Sequence, residues 1–284
     1  MANIASVVRR KVANWTVTAV RKDGSFASKP DVLVTEEPLE IRAESPSQQA
    51  QPVAVTMRTP GHDFELAVGF LFTEGMIKRS DDVRTVRYCQ LPDTAEQQFN
   101  VVTVSLSAPF DEALSRRGMV TSASCGICGT TSIEQLTQTV SRIDSKIGPV
   151  MSSTMLISLP DIVRQAQPTF DRTGGLHAAG LIDAKGVAMC VREDIGRHNA
   201  VDKVIGNAVL ENKLPISDHA LVVSGRLSFE IIQKAAIAGI AFIAAVGAPS
   251  NLAVQTADDL GITLVGFVRD GTANIYTHKH RITD

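Results

Sequence analysis

Residues 220–267 alternate short apolar runs with helix-patterned ones: Ala220–Val223, Ser228–Ala238, Ala241–Val246, Ser250–Leu260 and Thr263–Phe267. No other stretch of the chain restricts the fold as much. An unbroken apolar run of this length reads as a strand buried on both faces, and the spacers are long enough for one helix each. The β-α-β-α-β order therefore predicts a parallel sheet with right-handed crossovers. Sheets of this kind bind ligands at the carboxyl ends of their strands. Here those ends are Ser224-Gly225-Arg226, Gly247-Ala248-Pro249-Ser250 and Val268-Arg269-Asp270-Gly271-Thr272. All are small, polar or basic, and the first two open into helices whose free N–H groups favour an anion, so a phosphorylated ligand is expected.

The first part of the chain has a different pattern. Trp15–Val20, Leu33–Glu36, Leu39–Ala43 and Val53–Met57 read as strands separated by Pro30, Pro38, Pro46 and Pro52. Thr59-Pro60 starts a helix signal that runs through Phe64, Ala67, Val68, Leu71 and Phe72 to Gly75, and strands follow at Val83–Tyr88 and Phe99–Leu106. The predicted organisation is a small α+β domain over 12–110, a linker with a mobile cysteine loop over 111–150, and an α/β domain over 151–284. Short helical pieces are predicted at Asp111–Arg117 and Ser132–Ile143. A hairpin is predicted at Leu176–Ile182 and Val187–Val191, turning at Ala184-Lys185-Gly186, then a helix over Arg197–Leu210.

Composition excludes several classes. The 284 residues are 44% hydrophobic and 20% charged with a net charge of −2, and no run of eighteen apolar residues occurs, so neither a membrane span nor broad nucleic-acid binding is expected. At the start, basic residues follow a short apolar stretch, the reverse of a secretory signal, and the chain is expected to be cytoplasmic. Four cysteines, Cys89, Cys125, Cys128 and Cys190, are too few for a disulfide scaffold.

Cys125 and Cys128 form the one close pair, in Ser124-Cys125-Gly126-Ile127-Cys128-Gly129. A thiolate that carries sulfur as a persulfide must be accessible and must be presented to two partners in turn. Gly126 and Gly129 permit positive φ and leave the loop unshielded, its N–H groups can stabilise an anion, and Arg116 and Arg117 lie upstream. Cys125 is the candidate carrier and Cys128 the supporting thiol. Zinc would need a second ligand pair, which Cys89 and Cys190 do not form, so no metal site is expected. A thioredoxin-like dithiol would follow a strand, and Gly118–Ser124 does not read as one. A nucleobase deaminase would place His-x-Glu before Pro-Cys-x-x-Cys, whereas here the cysteines come first and Ser124 stands at the proline position.

Together with Cys125-Gly126-Ile127-Cys128-Gly129, an ordered set of segments resembles the formate dehydrogenase accessory sulfurtransferase family. These are Ala67-Val68-Gly69-Phe70-Leu71, His177-Ala178-Ala179, Glu193-Asp194-Ile195-Gly196-Arg197-His198-Asn199-Ala200-Val201-Asp202-Lys203, Val223-Ser224-Gly225-Arg226, Leu264-Val265-Gly266-Phe267 and Ile275-Tyr276-Thr277-His278. The resemblance implies an α/β fold whose C-terminal three-layer domain is similar to cytidine deaminases without their zinc, joined to a smaller N-terminal α+β domain. It implies a sulfurtransferase that takes persulfide sulfur from a cysteine desulfurase onto Cys125. The sulfur would pass to the molybdenum bis(molybdopterin guanine dinucleotide) cofactor that formate dehydrogenase requires. The cofactor's guanine nucleotide would be met by Phe267, Val268, Arg269, Asp270, Gly271 and Thr272, and paired nucleotide halves would suit a homodimer. The competing readings are a chaperone that only shelters the cofactor, and a zinc-dependent hydrolase or deaminase.

Among single residues, Arg226 is read as a phosphate contact and His198 as either a ligand contact or a packing residue. His177 is read as a satisfied half-buried histidine, Lys203 as a solvated helix residue, and Cys89 and Cys190 as inert core thiols.

Overall fold

The computed structural model of the protein describes residues 11–89, 99–111 and 140–284, so Cys125 and Cys128 lie outside the described residues. Strands β1 (Val12–Val20) and β2 (Phe26–Val34) form an antiparallel hairpin. β3 (Glu37–Ser45), β4 (Gln48–Arg58), β5 (Val83–Tyr88) and β6 (Val101–Leu106) form a four-stranded sheet in the order β4-β3-β6-β5, with β3 and β6 parallel. Pro30, Pro38 and Pro52 sit inside β2, β3 and β4 and do not separate strands as expected. Each has a position where a missing N–H is tolerated. Pro30 is in a two-stranded ribbon, Pro38 precedes the part of β3 that pairs with β6, and Pro52 faces Arg42 beside a register shift on an edge strand. Helix α1 (Asp63–Thr73) starts three residues after Pro60. Its first carboxylate, Asp63, accepts from Arg58 Nε at 3.1 Å and Nη2 at 2.9 Å and from Tyr88 Oη at 3.1 Å, so the buried guanidinium is paired at the positive end of the helix dipole.

The second half begins with the two-residue strand β7 (Met151–Ser152). Helices α2 (Ser153–Gln165) and α3 (Pro168–Thr173) come next, and the sequence reading did not anticipate them. Their signals are present: Ser152 Oγ accepts from Met155 N as an N-cap, and Leu156, Leu159 and Val163 recur on one buried face. Residues 140–143, the described end of the predicted Ser132–Ile143 helix, are not helical; Ile143 N donates to Leu260 O instead. Then follow β8 (His177–Asp183), β9 (Ala188–Asp194), α4 (Arg197–Leu210), β10 (His219–Val223), α5 (Phe229–Ile237), β11 (Phe242–Ala245), α6 (Asn251–Asp259), β12 (Thr263–Arg269), β13 (Thr272–Thr277) and the two-residue β14 (Ile282–Thr283). The main sheet has the order β13-β12-β11-β10-β8-β9, with β10, β11 and β12 parallel as predicted and the flanking pairs antiparallel. Among the described residues no helix is long and apolar enough to cross a membrane.

The three parallel strands show why their sequences are apolar at every position. Ala220, Val222, Phe242, Ala244 and Val265 pack with Leu156, Leu159 and Val163 of α2 on one face. Leu221, Val223, Ile243, Ala245 and Leu264 pack with α4, α5 and α6 on the other. Alternate residues feed two cores, so helices cover both faces and the fold is α/β with three layers here. The second core continues through α1 into Leu39, Ile41, Val102 and Val104 of the four-stranded sheet.

The junction is a backbone-to-backbone crossing of α1 and α4. A methyl group built on Gly69 would lie 1.9 Å from the carbonyl oxygen of Asp202, and one built on Gly206 would lie 1.9 Å from that of Glu65. In an exposed helix, Gly→Ala stabilises by about 1 kcal/mol. Here the sign reverses, because the helices must separate and the packing on both sides is lost. Gly69→Ala and Gly206→Ala should each destabilise by roughly 3 kcal/mol or more, read as a lower urea midpoint; a raised midpoint in either variant contradicts the crossing.

Candidate functional site

The carboxyl ends of the parallel strands form one continuous ledge. Phe267 N donates to Gly247 O and Gly247 N donates to Gly225 O, both at 3.2 Å, which links the end of β12 to the loops after β11 and β10 in series. A Cβ on Gly247 would stand 2.6 Å from Gly225 O, so only glycine lets the loops approach this closely. β8 runs antiparallel to β10, and its first residue, His177, therefore lies at the same end. A Cβ built on Gly225 would meet His177 Nδ1 at 3.2 Å and Arg197 Cβ at 3.8 Å. The start of α4 is thus on the ledge too, capped by Gly196, which has no side chain to occupy the free N–H groups.

The electrostatics of the ledge are cationic. His177 has no side-chain hydrogen bond among the described residues, which corrects its reading as a satisfied histidine. Burial lowers its pKa, with the charges of Arg197 and Arg226 adding to the effect. Arg226 is exposed, and Arg197 makes no ion pair among the described residues while its Nε is sealed from solvent without a partner. His198 Nε2 lies 3.1 Å from Ser228 Oγ and 3.9 Å from Glu230 Oε2, and Ser228, the N-cap residue of α5, engages Glu230 as well and leaves the helix start uncapped by its side chain. Burial, then the charges of Arg197 and Lys234, push the His198 imidazole down to about 4, which makes it neutral at pH 7. The α6 start differs: Ser250 Oγ accepts from Ala253 N. The ledge is suited to an anion such as phosphate near the start of α4, whereas Glu230 in the first turn of α5 opposes one there.

Of the predicted nucleotide segment, β12 takes in more than expected. Phe267 sits at φ 54 beside a register shift, and Val268 is fully buried in the α2-side core. Arg269 is exposed with its guanidinium 5.4 Å from the Phe267 ring centre, and Thr272 Oγ1 donates to Arg269 O. Asp270 and Gly271, both at positive φ, make a two-residue turn into β13. The backbone of Phe267 therefore joins the ledge, while Asp270, Gly271 and Thr272 form an exposed hairpin tip.

The Glu193–Lys203 motif has a structural half that sequence reasoning missed. Lys203 is 1% exposed, not solvated. Its Nζ lies 2.7 Å from Asp194 Oδ2 and donates to Thr59 O at 3.0 Å and Glu193 O at 3.3 Å. Asp194 also accepts from Gly196 N, Asn199 Nδ2 and Thr59 N. These buried charges are fully paired and tie β9 and α4 to the segment before α1. The same motif's Arg197 and His198 face the ledge. Cys190 is buried, and burial pushes its thiol up to about 12; Cys89 is only half-buried, with Sγ 2.9 Å from Thr103 Oγ1, and so is not the core thiol expected. Among the described residues no cluster of three His, Cys, Asp or Glu side chains is placed to hold a metal.

Beside the ledge a cavity of about 600 Å³ opens between α2, α3 and the ends of β10 and β11. Val163, Phe170, Leu176 and Val222 give it apolar walls, and Gln167, His177 and Ser224 are among its polar groups. The volume falls in the range of small-molecule sites. Because α2 and α3 were not read from the sequence, neither was this wall.

The neutral His198 gives the site a pH signature. Its pKa is lower in the fold than the ordinary 6.5, so between pH 6.5 and 4 the unfolded chain binds a proton that the native state does not, and stability falls as pH drops through that window. Allowing for partial solvent access, the loss at pH 5 is on the order of 1–2 kcal/mol. His198→Gln should remove that increment from the difference in urea stability between pH 7 and pH 5, and parallel pH profiles for the two proteins would refute the assignment.

Comparison with known proteins places the chain in a family. The FdhD/NarQ family profile matches residues 34–283. The sulfur carrier protein FdhD of Streptomyces avermitilis is 46% identical over 266 residues, covering 92% of each chain. That of Mycobacterium tuberculosis is 48% identical over 264 residues, covering 90% of this chain and 93% of its own. The crystal structure of a candidate formate dehydrogenase accessory protein from Desulfotalea psychrophila matches with a TM-score of 0.74 over 96% of this chain and 100% of that one, at 23% identity, a likeness of fold. On the family match and the near full-length identity, the chain belongs to the FdhD/NarQ family.

Proposed function

We propose that this protein is a sulfur carrier that receives sulfane sulfur from a cysteine desulfurase and delivers it to the molybdenum bis(molybdopterin guanine dinucleotide) cofactor destined for formate dehydrogenase. The observation that carries the reading is the Cys125-Gly126-Ile127-Cys128-Gly129 segment in a chain 46% identical to a named sulfur carrier. In loading, the Cys125 thiolate attacks the outer sulfur of the donor persulfide; a new S–S bond forms on Cys125, the donor S–S bond breaks, and the donor leaves as a thiolate. In release, the Cys128 thiolate attacks Cys125 Sγ, a Cys125–Cys128 disulfide forms, and the outer sulfur departs as sulfide to the metal. The dithiol supplies the two electrons, and a reducing thiol restores it.

The cationic ledge supports the client assignment. Arg197, Arg226 and the backbone around Gly225 suit the phosphates of a nucleotide-bearing cofactor, and of the Phe267–Thr272 segment the Phe267 backbone adjoins them through Gly247. We infer a cytoplasmic homodimer, in which two copies would take the two nucleotide halves.

Incubation with a desulfurase and cysteine should add one sulfur atom to the peptide bearing Cys125, detected by mass and released by cyanide. Cys125→Ala should abolish both the adduct and activation of formate dehydrogenase, while Cys128→Ala should load but release slowly. Full activation by the Cys125→Ala/Cys128→Ala protein would show that the chain only shelters the cofactor.

A further inference from the structure

The β1–β2 hairpin has two outer edges, and only one of them is protected. Among the described residues each strand pairs with the other alone. Arg21 N donates to Ser25 O and Thr35 N donates to Lys11 O, both at 2.9 Å, so the odd-numbered residues of β1 turn their N–H and C=O groups toward β2. The even-numbered ones, Val12, Asn14, Thr16, Thr18 and Val20, turn theirs outward. On β2 the outward set has Pro30 at its centre, between Lys29 and Asp31, and a missing N–H flanked by charges guards an edge against further pairing. β1 carries no charge, no proline and no glycine over its 9 residues, and its register with β2 is unbroken. It also presents apolar side chains to solvent: Trp15 is 63% exposed, Val20 67%, and Phe26, paired with Val20, 72%. A lone two-stranded ribbon is marginal in water, so an unguarded apolar edge of this length calls for a further strand.

The residue order of β1 says which strand fits. Val12-Ala13-Asn14-Trp15-Thr16-Val17-Thr18-Ala19-Val20 matches apolar with apolar and polar with polar when read in either direction from Thr16. Laid antiparallel on a second copy with Thr16 on a two-fold axis, it sets Val12 opposite Val20, Ala13 opposite Ala19, Asn14 opposite Thr18 and Trp15 opposite Val17. Every outward backbone group of β1 then falls in a hydrogen-bonded pair. Trp15 and Val17 fall in the pairs between, where side chains approach most closely. Phe26 and Val20 of one copy continue across the sheet into Val12 and Val34 of the other, which covers the exposed tip of the hairpin. We propose that two copies of this protein join through β1, giving one four-stranded sheet in the order β2-β1-β1-β2. The hairpin is rooted beside the cavity: a Cβ on Gly175, which lines it, would stand 3.4 Å from Val34 Cγ1. The shared sheet therefore ties together the cavity rims of the two copies. The inference rests on the homodimer reading and adds the surface that forms it; it does not depend on the sulfur chemistry.

The test uses full-length Cys125→Ala/Cys128→Ala protein, so that those thiols form no cross-links. Sedimentation should show a dimer that dissociates on dilution, and the emission of Trp15, the only tryptophan, should move to longer wavelength as it does. Thr16→Pro removes an outward N–H and no bond to β2, and should raise the dissociation constant about ten-fold or more, the loss of two hydrogen bonds across the axis. Ser28→Pro, the same change on the guarded edge, should leave it unchanged. Thr16→Cys should give a disulfide-linked dimer on oxidation, because a residue on the axis meets its own copy, whereas Thr18→Cys, opposite Asn14, should not. An unchanged dissociation constant in Thr16→Pro, equal weakening by Ser28→Pro, or cross-linking of Thr18→Cys in place of Thr16→Cys overturns this inference while the homodimer reading stands. A parent protein that is monomeric at every concentration overturns both.

Discussion

The contact between α1 and α4 at Gly69 and Gly206 fixes the position of everything else. Two helix backbones in carbonyl contact leave no slack, so the four-stranded sheet that α1 covers and the six-stranded sheet that α4 covers share one core. The surrounding polar groups are arranged to permit this. Glu65, one turn from Gly69, is held by Arg192 Nη2 at 2.7 Å and Asn207 Nδ2 at 3.1 Å; Asp202, one turn from Gly206, is held by Lys234 Nζ and Thr73 Oγ1 at 2.9 Å. Paired charges of this kind add little net stability over apolar packing, but an alternative docking would strand them unpaired. They therefore act chiefly to exclude other arrangements.

How much of this could be read from the residues alone depended on whether one local pattern decided the outcome. The parallel strands were readable because burial on both faces leaves its own mark, an apolar residue at every position. Helix α4 was readable to its end residues. Helix α2 was not, since Pro160 stands inside it and reads as a helix breaker although the helix runs on through it. The strand prolines misled because tolerance depends on whether a strand lies at an edge, a property of the finished sheet. Lys203 misled for the same reason: its partners Asp194 and the Thr59 carbonyl come from separate parts of the chain, and no spacing rule connects them.

The candidate site was readable in part. The strand ends and Arg226 follow from the order of elements, and the structure adds that hydrogen bonds join those ends in series. His177 reaches them only because β8 runs against β10, and Gln167 only because a short helix turns back over the strand ends. Both depend on topology. The Glu193–Lys203 motif is the instructive case, since one continuous run of residues serves two purposes: Asp194, Asn199 and Lys203 hold the halves of the molecule together, while Arg197 and His198 look out onto the ledge. Assembly of the core and placement of Arg197 and His198 at the strand ends are thereby coupled.

A protein that handles sulfane sulfur must also avoid losing it to its own side chains. Cys190 sits on β9 with its thiol turned into the core and its pKa pushed up to about 12, so at neutral pH only about one molecule in 10⁵ carries the thiolate there. In kinetic terms that residue is silent: it neither intercepts a persulfide nor is trapped by an electrophile while the chain stays folded. The packing that shuts it away thus works as a chemical filter that keeps this one thiol out of exchange reactions.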